Sequence, residues 1–460
     1  MKTRVLAAAA AVALLVPGVA EAHGLVQRQQ LPIPQWLFAW AAAAVLVISF
    51  FALAVLWPQP RLEQDSWKPL KYGRAIASLP VQIVCGSIGV FLLVVTLLAG
   101  YLGSGTALDN WAPTFLLITF WVGMVFASII FGGIYRAFSP FRAIGRVLPS
   151  LNRPYPEKLG RWPAVVGLWM FTWIELVSGW GEEPGTLVTA ALGYTILMLA
   201  AQCYWGVETW SRRGEAFGVY FDMFARMSVW EVRDGRLGVR RPLAGLTRLD
   251  PAAGTVAFVT VMIGTVTFDG LSQGQLWKDV SADVVDVLDG LGIGALTASK
   301  IAATFGLLLG VGLVAGFYRL GIEGARSVGG GLSFAKLEFG FVHSLVPIAA
   351  VYVAAHYLTF LVFEGQAIIY LASDPFGQGW DLFGTVNAGI DYGVFPQNDT
   401  WYVQVAVVVV GHVAALMLAH DRALVLYGQA KLAVRSQYWM LGVMVGFTSL
   451  ALWLLAQAGS

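Results

Sequence analysis

A small set of ionisable residues lies inside long apolar segments of this sequence. Glu175 follows the run LWMFTWI, and Asp269 follows TVTF. His356 and Glu364 share the segment YVAAHYLTFLVFEGQ, and His412 lies in VVVVGHVAAL. Ionisable side chains are costly inside a membrane, are rare there and usually mark functional sites. If these segments span a membrane, the five residues are the first candidates for the chemistry of the protein.

Carboxylates and neutral imidazoles can hold a divalent metal ion or move a proton. We predict His356, His412, Glu364 and Asp269 as catalytic residues. His356, His412, Glu364 and Glu175 are the candidate metal ligands inside the apolar segments. A bound divalent ion would acidify a water and polarise a phosphoryl or carbonyl oxygen. Without a metal, one His could act as a general base. The alternative for each group is a buried polar side chain that hydrogen-bonds between helices.

Three further residues have side chains that could take part in chemistry. His343 and His420 lie toward the cytoplasmic ends of their predicted segments and could extend a polar path inward. The stretch GLSQG around Ser272 matches the GxSxG nucleophile elbow, which requires a strand–turn–helix context. Because this stretch follows a predicted membrane helix, we favour a glycine-rich helix end. No HxxxH, HExxH or ExxH ligand pair occurs, so the pattern alone does not establish a metal site.

The composition indicates the fold class. The mean hydropathy is +0.70, 58% of residues are hydrophobic and 12% are charged. Repeated apolar runs of about 20 residues are typical of helical membrane proteins. We predict an all-α bundle of about ten membrane spans within a single multi-pass domain, residues 23–460. The predicted spans are 36–57, 80–103, 114–135, 162–180, 186–206, 253–272, 299–320, 341–371, 401–420 and 438–457.

The N-terminal segment has the pattern of a secretory signal peptide. Lys2 and Arg4 precede a short apolar run, and Ala20-Glu21-Ala22 fits a small-residue cleavage site, which predicts a signal peptide over residues 1–22. His23 would then begin the mature chain outside the cytoplasm. Its amine and imidazole together would suit Cu(II) or another borderline metal, although a polar residue after a signal peptide needs no such role.

The basic residues are sorted by loop. Five alternate loops, 58–79, 136–161, 207–252, 321–340 with Arg319, and 421–437, hold all but five of the 29 Lys and Arg residues. By the positive-inside rule these loops are cytoplasmic, which places the mature N-terminus outside a bacterial plasma membrane. The expected partners are the lipid bilayer and a small lipophilic substrate or ion, and the net charge of +2 gives no indication of nucleic-acid binding.

The loops have recognisable local patterns. Within the Arg-rich loop 207–252, the stretch 229–243 predicts a β-hairpin that turns at Asp234-Gly235. The predicted outer loops, 270–298 and 373–400, are acidic. In the first of them, acids recur every three or four residues between 279 and 289, which predicts a short amphipathic helix at the membrane surface.

Several segments carry a resemblance to a known family. These are the first predicted span with its flanks (31–63), YVAAHYLTFLVFEGQ (352–366), SDPFG (373–377), 401–423 and 436–455. They resemble bacterial integral-membrane proteins named fenitrothion hydrolase, over nearly the whole mature chain. The resemblance implies hydrolysis of an aryl phosphotriester to a nitrophenol and a dialkyl thiophosphate. It transfers no catalytic residue to this sequence.

Two hypotheses follow. In the first, the chain is a membrane-embedded phosphotriester hydrolase in which His356, His412, Glu364 and Asp269 handle a metal or a water. In the second, it is an ion or metal transporter, or another metal-handling membrane protein, that uses the same groups as a relay. A transporter needs a polar path that continues inward, whereas an enzyme does not.

Overall fold

The computed structural model describes residues 35–457, without the side chains of 35, 36, 39, 397, 398 and 454–457. The predicted signal peptide and His23 lie outside the described residues. The main helices are α1 (Gln35–Leu56), α2 (Leu79–Leu102), α3 (Trp111–Phe131), α4 (Trp162–Ser178), α5 (Pro184–Trp205), α6 (Val207–Arg213), α7 (Ala216–Ala225), α8 (Thr255–Ser272), α9 (Gln275–Gly290), α10 (Ala295–Ser327), α11 (Phe334–Val362), α12 (Gln397–Tyr427) and α13 (Ala430–Gln457).

Shorter elements connect these helices. Short α-helices span Gly73–Ile76, Ile134–Phe138, Pro140–Gly145 and Ile368–Ser373. Single 3₁₀ turns span Ala107–Asp109, Trp180–Glu182, Leu246–Arg248 and Glu364–Ala367. Three of the long helices are irregular. Thr114–Gly123 in α3 and Ile174–Ser178 in α4 are π-helical, and Val342–Leu345 in α11 is a 3₁₀ turn.

Seven helices in the described part of the chain are long and apolar enough to cross a membrane, so the protein is a helical, multi-pass membrane protein. They are Gly73–Leu102, Trp111–Phe131, Pro184–Trp205, Thr255–Ser272, Ala295–Ser327, Phe334–Val362 and Asp399–Tyr427. Three shorter apolar helices are Trp40–Leu56, Trp162–Ser178 and Ala216–Ala225. The predicted count of ten spans is therefore not confirmed.

Two helices form the centre of the bundle. The most apolar windows of α8 and α11 are 78% and 72% buried, whereas the other five long apolar helices are buried over less than half of theirs. Since α8 is apolar all round, it packs on several sides, against α4, α10 and α11. A Cβ atom on Gly264 of α8 would lie 2.5 Å from the Cα of Val311 in α10. The absence of a side chain at Gly264 therefore sets the close approach of these helices.

The predicted hairpin is present. Strands β2 (Trp230–Arg233) and β3 (Arg236–Val239) pair antiparallel around Asp234 and Gly235, which both have positive φ. This is the backbone that a two-residue type I′ turn requires. A third strand, β1 (Lys68–Pro69), pairs antiparallel with β3, which the sequence did not predict. The resulting sheet, in the order β1-β3-β2, ties together two of the basic loops.

The basic loops meet on one side of the molecule, which we call the Arg-rich face. Ion pairs join loop 58–79 to loop 207–252, loop 136–161 to α6, and α12 to loop 58–79. The pairs are Asp65 with Arg233 and Arg248, Glu208 with Arg142, and Glu63 with Arg422. This is the arrangement expected if these loops share one membrane surface.

Two elements between the spans have distinct characters. Helix α9 confirms the predicted amphipathic helix, with its four acidic residues exposed.

Helix α7 differs from the prediction, because it is a buried apolar helix within the segment predicted as an Arg-rich loop. It packs against α3, α4 and α11. A helix of ten residues, one of them Asp222, between clusters of arginines is too short to be recognised as a span.

Candidate functional site

A buried carboxylate near the end of α8 is the centre of the candidate site. The Asp269 Oδ2 atom lies 2.8 Å from His356 Nε2 and accepts a hydrogen bond of 2.7 Å from the Tyr357 hydroxyl. The exposed fractions of Asp269, His356 and Tyr357 are 1%, 6% and 2%. The three side chains are thus held together away from the protein surface, in two of the candidate membrane-spanning helices.

The central helices position these groups. Asp269 lies in the last turn of α8, and His356 and Tyr357 are consecutive residues of α11. Adjacent side chains on a helix point about 100° apart, so both can reach one carboxylate only if it lies between them. The two rings pack edge to face with centroids 4.6 Å apart. The contact between α8 and α11 therefore selects which two side chains hold Asp269.

A second carboxylate approaches this group from α4. Glu175 lies in the π-helical segment Ile174–Ser178, and its carboxylate oxygens are buried. It is close enough to Asp269, Tyr220 and Tyr357 for electrostatic interaction. A π-helical turn holds one more residue than an α-helical turn and is frequent at functional sites. The π segment thus rotates Glu175 relative to the rest of α4. We call Asp269, His356, Tyr357 and Glu175 the central cluster.

Helix α7 completes one wall of the central cluster. Tyr220 stacks on Trp121 of α3, with ring centroids 4.6 Å apart and planes at 15°. The Tyr220 hydroxyl is buried and, within residues 35–457, has no hydrogen-bond partner. Neither Tyr220 nor Tyr357 was among the residues predicted from the sequence. Tyr357 could have been found as the neighbour of His356, whereas Tyr220 gave no signal because its helix was not recognised.

A small cavity adjoins His356. Its volume is about 30 Å³, which accommodates about one water molecule. It lies between α8, α11, α12 and α13, and its lining residues are Val266, Thr267, Gly270, Tyr352, Ala355, His356, Val408 and Ala451. Tyr352, one of these lining residues, stacks on Phe447 of α13 with ring centroids 5.6 Å apart. His356 therefore contacts both a carboxylate and a space of the size of a water molecule.

His412 lies one helical turn from Val408, which lines this cavity, and no hydrogen bond or ring contact joins it to His356 in the described part of the chain. Its Nδ1 atom lies 2.7 Å from the Val408 carbonyl oxygen, in the same helix, and its ring centroid is 6.4 Å from that of Tyr352. The His412 Nε2 atom is buried and has no hydrogen-bond partner in the described part of the chain. The hydrogen bond within α12 holds the His412 ring beside Tyr352. His412 therefore lies near the site but outside the central cluster.

Glu364 also lies outside the central cluster. Helix α11 ends at Val362, and Glu364 begins the following 3₁₀ turn, where it accepts a hydrogen bond of 3.3 Å from Tyr392. A continuous helix would place Glu364 on the same face as His356, but α11 ends two residues before Glu364. The described structure therefore does not bring His356, His412 and Glu364 together. Among the described residues, no three His, Cys, Asp or Glu side chains are grouped to hold a metal ion.

The other two described histidines, His343 and His420, lie outside the central cluster. His420 Nε2 lies 3.0 Å from the Trp57 carbonyl oxygen, and its neighbour Asp421 accepts four hydrogen bonds from the loop that follows α1. These bonds attach the loop to α12. His343 is buried in the 3₁₀ turn of α11. His420 thus anchors a loop, and the sequence gave no indication of the role of Asp421.

The serine motif does not form a nucleophile elbow. Ser272 is the last residue of α8, and its hydroxyl donates a hydrogen bond of 2.7 Å to the Asp269 carbonyl oxygen. A nucleophile elbow needs a sharp turn between a strand and a helix, and no strand precedes Ser272 in the described α8 region. The favoured interpretation, a glycine-rich helix end, agrees with this geometry.

Comparison with known proteins adds no further assignment. No family model matches the sequence, and neither a curated protein nor a solved structure matches it significantly.

Proposed function

We propose that this protein is a membrane transporter that exchanges protons for a cation, and that the central cluster binds both. The observation that carries the proposal is the buried Asp269–His356 pair, which lies in membrane-spanning helices with Glu175 close by. Ionisable groups at such positions mark ion pathways and proton relays in membrane proteins. Asp269 and Glu175 can each be neutralised by a proton or by a bound cation, so a single site can exchange one for the other.

The size of the cavity beside His356 favours a small ion. Pockets for drug-sized ligands occupy about 300–1,000 Å³. The cavity of about 30 Å³ at His356 has room for one water molecule or one small ion without its hydration shell. Hydrogen bonds from Tyr357 and His356 to one oxygen of Asp269 hold the carboxylate in place while the occupant changes.

Interrupted helices surround the central cluster, as they do in many secondary transporters. Helix α4 becomes π-helical at Glu175, and the π-helical segment of α3 contains Trp121, which stacks on Tyr220. Such segments leave backbone groups free to move or to coordinate an ion.

We place the protein in a bacterial plasma membrane, with the Arg-rich face in the cytoplasm and the mature N-terminus outside. The support is the sorting of basic residues among alternate loops and the ion pairs that join those loops on one side of the molecule. In this orientation Asp269 lies in the outer part of α8.

A transport assay in proteoliposomes tests the proposal. The purified chain is reconstituted with a pH-sensitive dye inside, and Na⁺, K⁺, Mg²⁺, Zn²⁺ or Cu²⁺ is added outside. We expect at least one cation to change the internal pH, and Asp269→Asn to abolish that change. Asp286→Asn is the matched control, because it makes the same substitution on the exposed face of α9. If no cation moves protons faster than in protein-free liposomes, the transporter proposal is wrong.

A second candidate function is phosphotriester hydrolysis, and one observation favours it. Asp269 holds His356, and His356 lines a cavity of the size of a water molecule, which is the geometry of a general base and its orienting carboxylate. His356 would take a proton from the water while the water oxygen bonds to phosphorus and nitrophenolate leaves. His356 also lies in one of the segments that carry the resemblance to the fenitrothion hydrolases. This mechanism needs no metal.

Release of nitrophenol from a nitrophenyl phosphotriester separates the two functions. Membranes with the wild-type chain, His356→Gln or His412→Gln are compared with empty membranes. A hydrolase predicts activity that is lost in His356→Gln and largely kept in His412→Gln, because His412 does not contact the central cluster. Activity no higher than in empty membranes would exclude this second candidate.

A further inference from the structure

A basic pocket lies where α1 leaves the membrane. Its volume is about 530 Å³, and its lining residues are Trp57, Pro58, Gln59, Arg61, Leu62, Gln64 and Arg241. It belongs to the Arg-rich face and is separate from the central cluster. We call it the Arg61 pocket.

The two arginines of the Arg61 pocket have no carboxylate partner among the described residues. The nearby acids are engaged elsewhere, since Glu63 pairs with Arg422, and Asp65 pairs with arginines of loop 207–252. Arg61 lies over the Trp57 ring at 4.7 Å, and Arg241 donates a hydrogen bond of 2.7 Å to the Arg61 carbonyl oxygen. Both guanidinium groups therefore keep their charge available for an anion.

The walls of the Arg61 pocket are held in place by the protein. Asp421 accepts hydrogen bonds from Trp57 Nε1 and from the backbone N–H groups of Arg61, Leu62 and Glu63, at 2.6–3.0 Å. Asp421 is fully buried, so these bonds are shielded from water. The pocket is thus formed before any ligand binds, which lowers the entropic cost of binding.

An exposed apolar surface continues from the Arg61 pocket into the membrane. Val55 and Leu56, the last residues of α1, are 74% and 69% exposed, and Phe51 one turn earlier is 55% exposed. Trp57 marks the boundary, where amphipathic aromatic side chains are enriched in membrane proteins. A ligand that fits both surfaces has an apolar chain and an anionic group, and guanidinium groups bind phosphate oxygens well.

We propose that the Arg61 pocket binds the phosphodiester headgroup of an anionic phospholipid, with an acyl chain along the exposed face of α1. The volume of the pocket is sufficient for a headgroup such as phosphoglycerol. Free phosphate carries the same kind of anionic group but has no apolar chain that could contact the exposed face of α1. Binding to the Arg61 pocket does not depend on the function of the central cluster.

Lipid binding is measured on the purified full chain by counting retained lipids with native mass spectrometry. Phosphatidylglycerol, phosphatidylcholine and inorganic phosphate are compared as probes. We expect phosphatidylglycerol to be retained and Arg61→Gln/Arg241→Gln to bind it about tenfold more weakly, since each basic residue adds to the attraction. Arg153→Gln/Arg212→Gln is the control, because both residues are exposed, lie on the Arg-rich face outside the pocket and form no ion pair in the described structure.

Three results would overturn the proposal. They are equal binding by the pocket variant and the control variant, equal retention of phosphatidylcholine and phosphatidylglycerol, and complete displacement of the lipid by inorganic phosphate. A second experiment uses only the wild-type chain, in case the pocket variant does not fold. Phosphatidylglycerol with a photoreactive headgroup is expected to crosslink within residues 57–64 or at Arg241, and crosslinks confined to other segments would also overturn the proposal.

Discussion

At the scale of the residue, the most informative feature is a carboxylate with two neighbours from one helix. The sequence identified Asp269, His356 and Glu175 as candidates because ionisable residues stand out in apolar segments. It could not show that Tyr357 would share Asp269 with His356, since this depends on the rotation of α11 against α8. It also grouped Glu364 with His356, because the two residues would share a face of a continuous helix, whereas the helix ends at Val362.

Tyr357→Phe tests the role of the tyrosine in the central cluster. The substitution removes one hydrogen bond to Asp269 and leaves the ring in place. We expect the free energy of unfolding to fall by about 0.5–1.5 kcal/mol, the range for side-chain hydrogen bonds between membrane helices. Chemical unfolding in detergent measures it. Tyr392→Phe is the control, because that hydroxyl bonds to Glu364 at the exposed surface. Equal stability of Tyr357→Phe and the wild type would show that the hydrogen bond does not hold Asp269.

At the scale of the element, hydropathy predicted the long helices, and the Asp-Gly turn predicted the hairpin. The π-helical segments of α3 and α4 could not be predicted, because a change from α- to π-helical turns leaves the hydropathy unchanged. Helix α7 was missed because it is short and lies between arginines. Both omissions concern the elements that place Glu175 and Tyr220 at the central cluster.

The crossing of α8 and α10 should be sensitive to one methyl group. In Gly264→Ala, the new Cβ would lie 2.5 Å from the Val311 Cα atom, so the helices would have to move apart. We expect a loss of about 1–3 kcal/mol in the free energy of unfolding, as for overpacked cores. Gly312→Ala is the matched control in α10, because a Cβ there meets no atom within 4 Å. Thermal unfolding of both variants in detergent makes the comparison, and equal midpoints would contradict the packing described for α8.

The attachment of α6 to the preceding loop should depend on pH. Burial opposes ionisation of Glu208, but hydrogen bonds and charges from Arg142, Arg136 and Arg146 outweigh it and lower the pKa to about 2. A carboxyl with a depressed folded-state pKa stabilises the fold above its unfolded pKa, and this stabilisation is lost as the pH falls through the folded value. We expect the wild type to be more stable than Glu208→Gln at neutral pH, and the difference to shrink below about pH 4.

Thermal unfolding across this pH range provides the measurement. The effect should be modest, since the Glu208 side chain is 46% exposed and water screens the ion pairs. Glu157→Gln, at an exposed position with no ion pair in the described structure, is the control. A difference between the wild type and Glu208→Gln that grows as the pH falls would contradict the assignment.

At the scale of the whole molecule, the sorting of charge is the main organising feature. The basic loops meet on one face, and the acidic helix α9 lies at the other end of α8. The sequence predicted this sorting, because it depends only on the order of charged loops and apolar segments. The predicted number of ten spans is not confirmed, because two of the predicted spans correspond to the shorter apolar helices Trp40–Leu56 and Trp162–Ser178.

Labelling of single cysteines tests the orientation of the whole molecule. The background is a chain with Cys85 and Cys203 replaced by Ser. We expect Ser281→Cys, on α9, to react with a membrane-impermeant thiol reagent added to intact cells. Asn152→Cys, on an exposed loop of the Arg-rich face, should react only after the cells are opened. The opposite labelling pattern would invert the topology that we propose.

The most direct test of a shared proton and cation site at Asp269 and His356 is to measure the release of protons when a cation binds. The purified chain is placed in weakly buffered detergent solution, and the cations of the transport assay are added one at a time while a dye reports the pH. We expect at least one cation to release about one proton per chain from the wild type and from Asp286→Asn, and none from Asp269→Asn. Proton release that is the same in Asp269→Asn, or that no cation produces, would contradict a shared proton and cation site at Asp269 and His356.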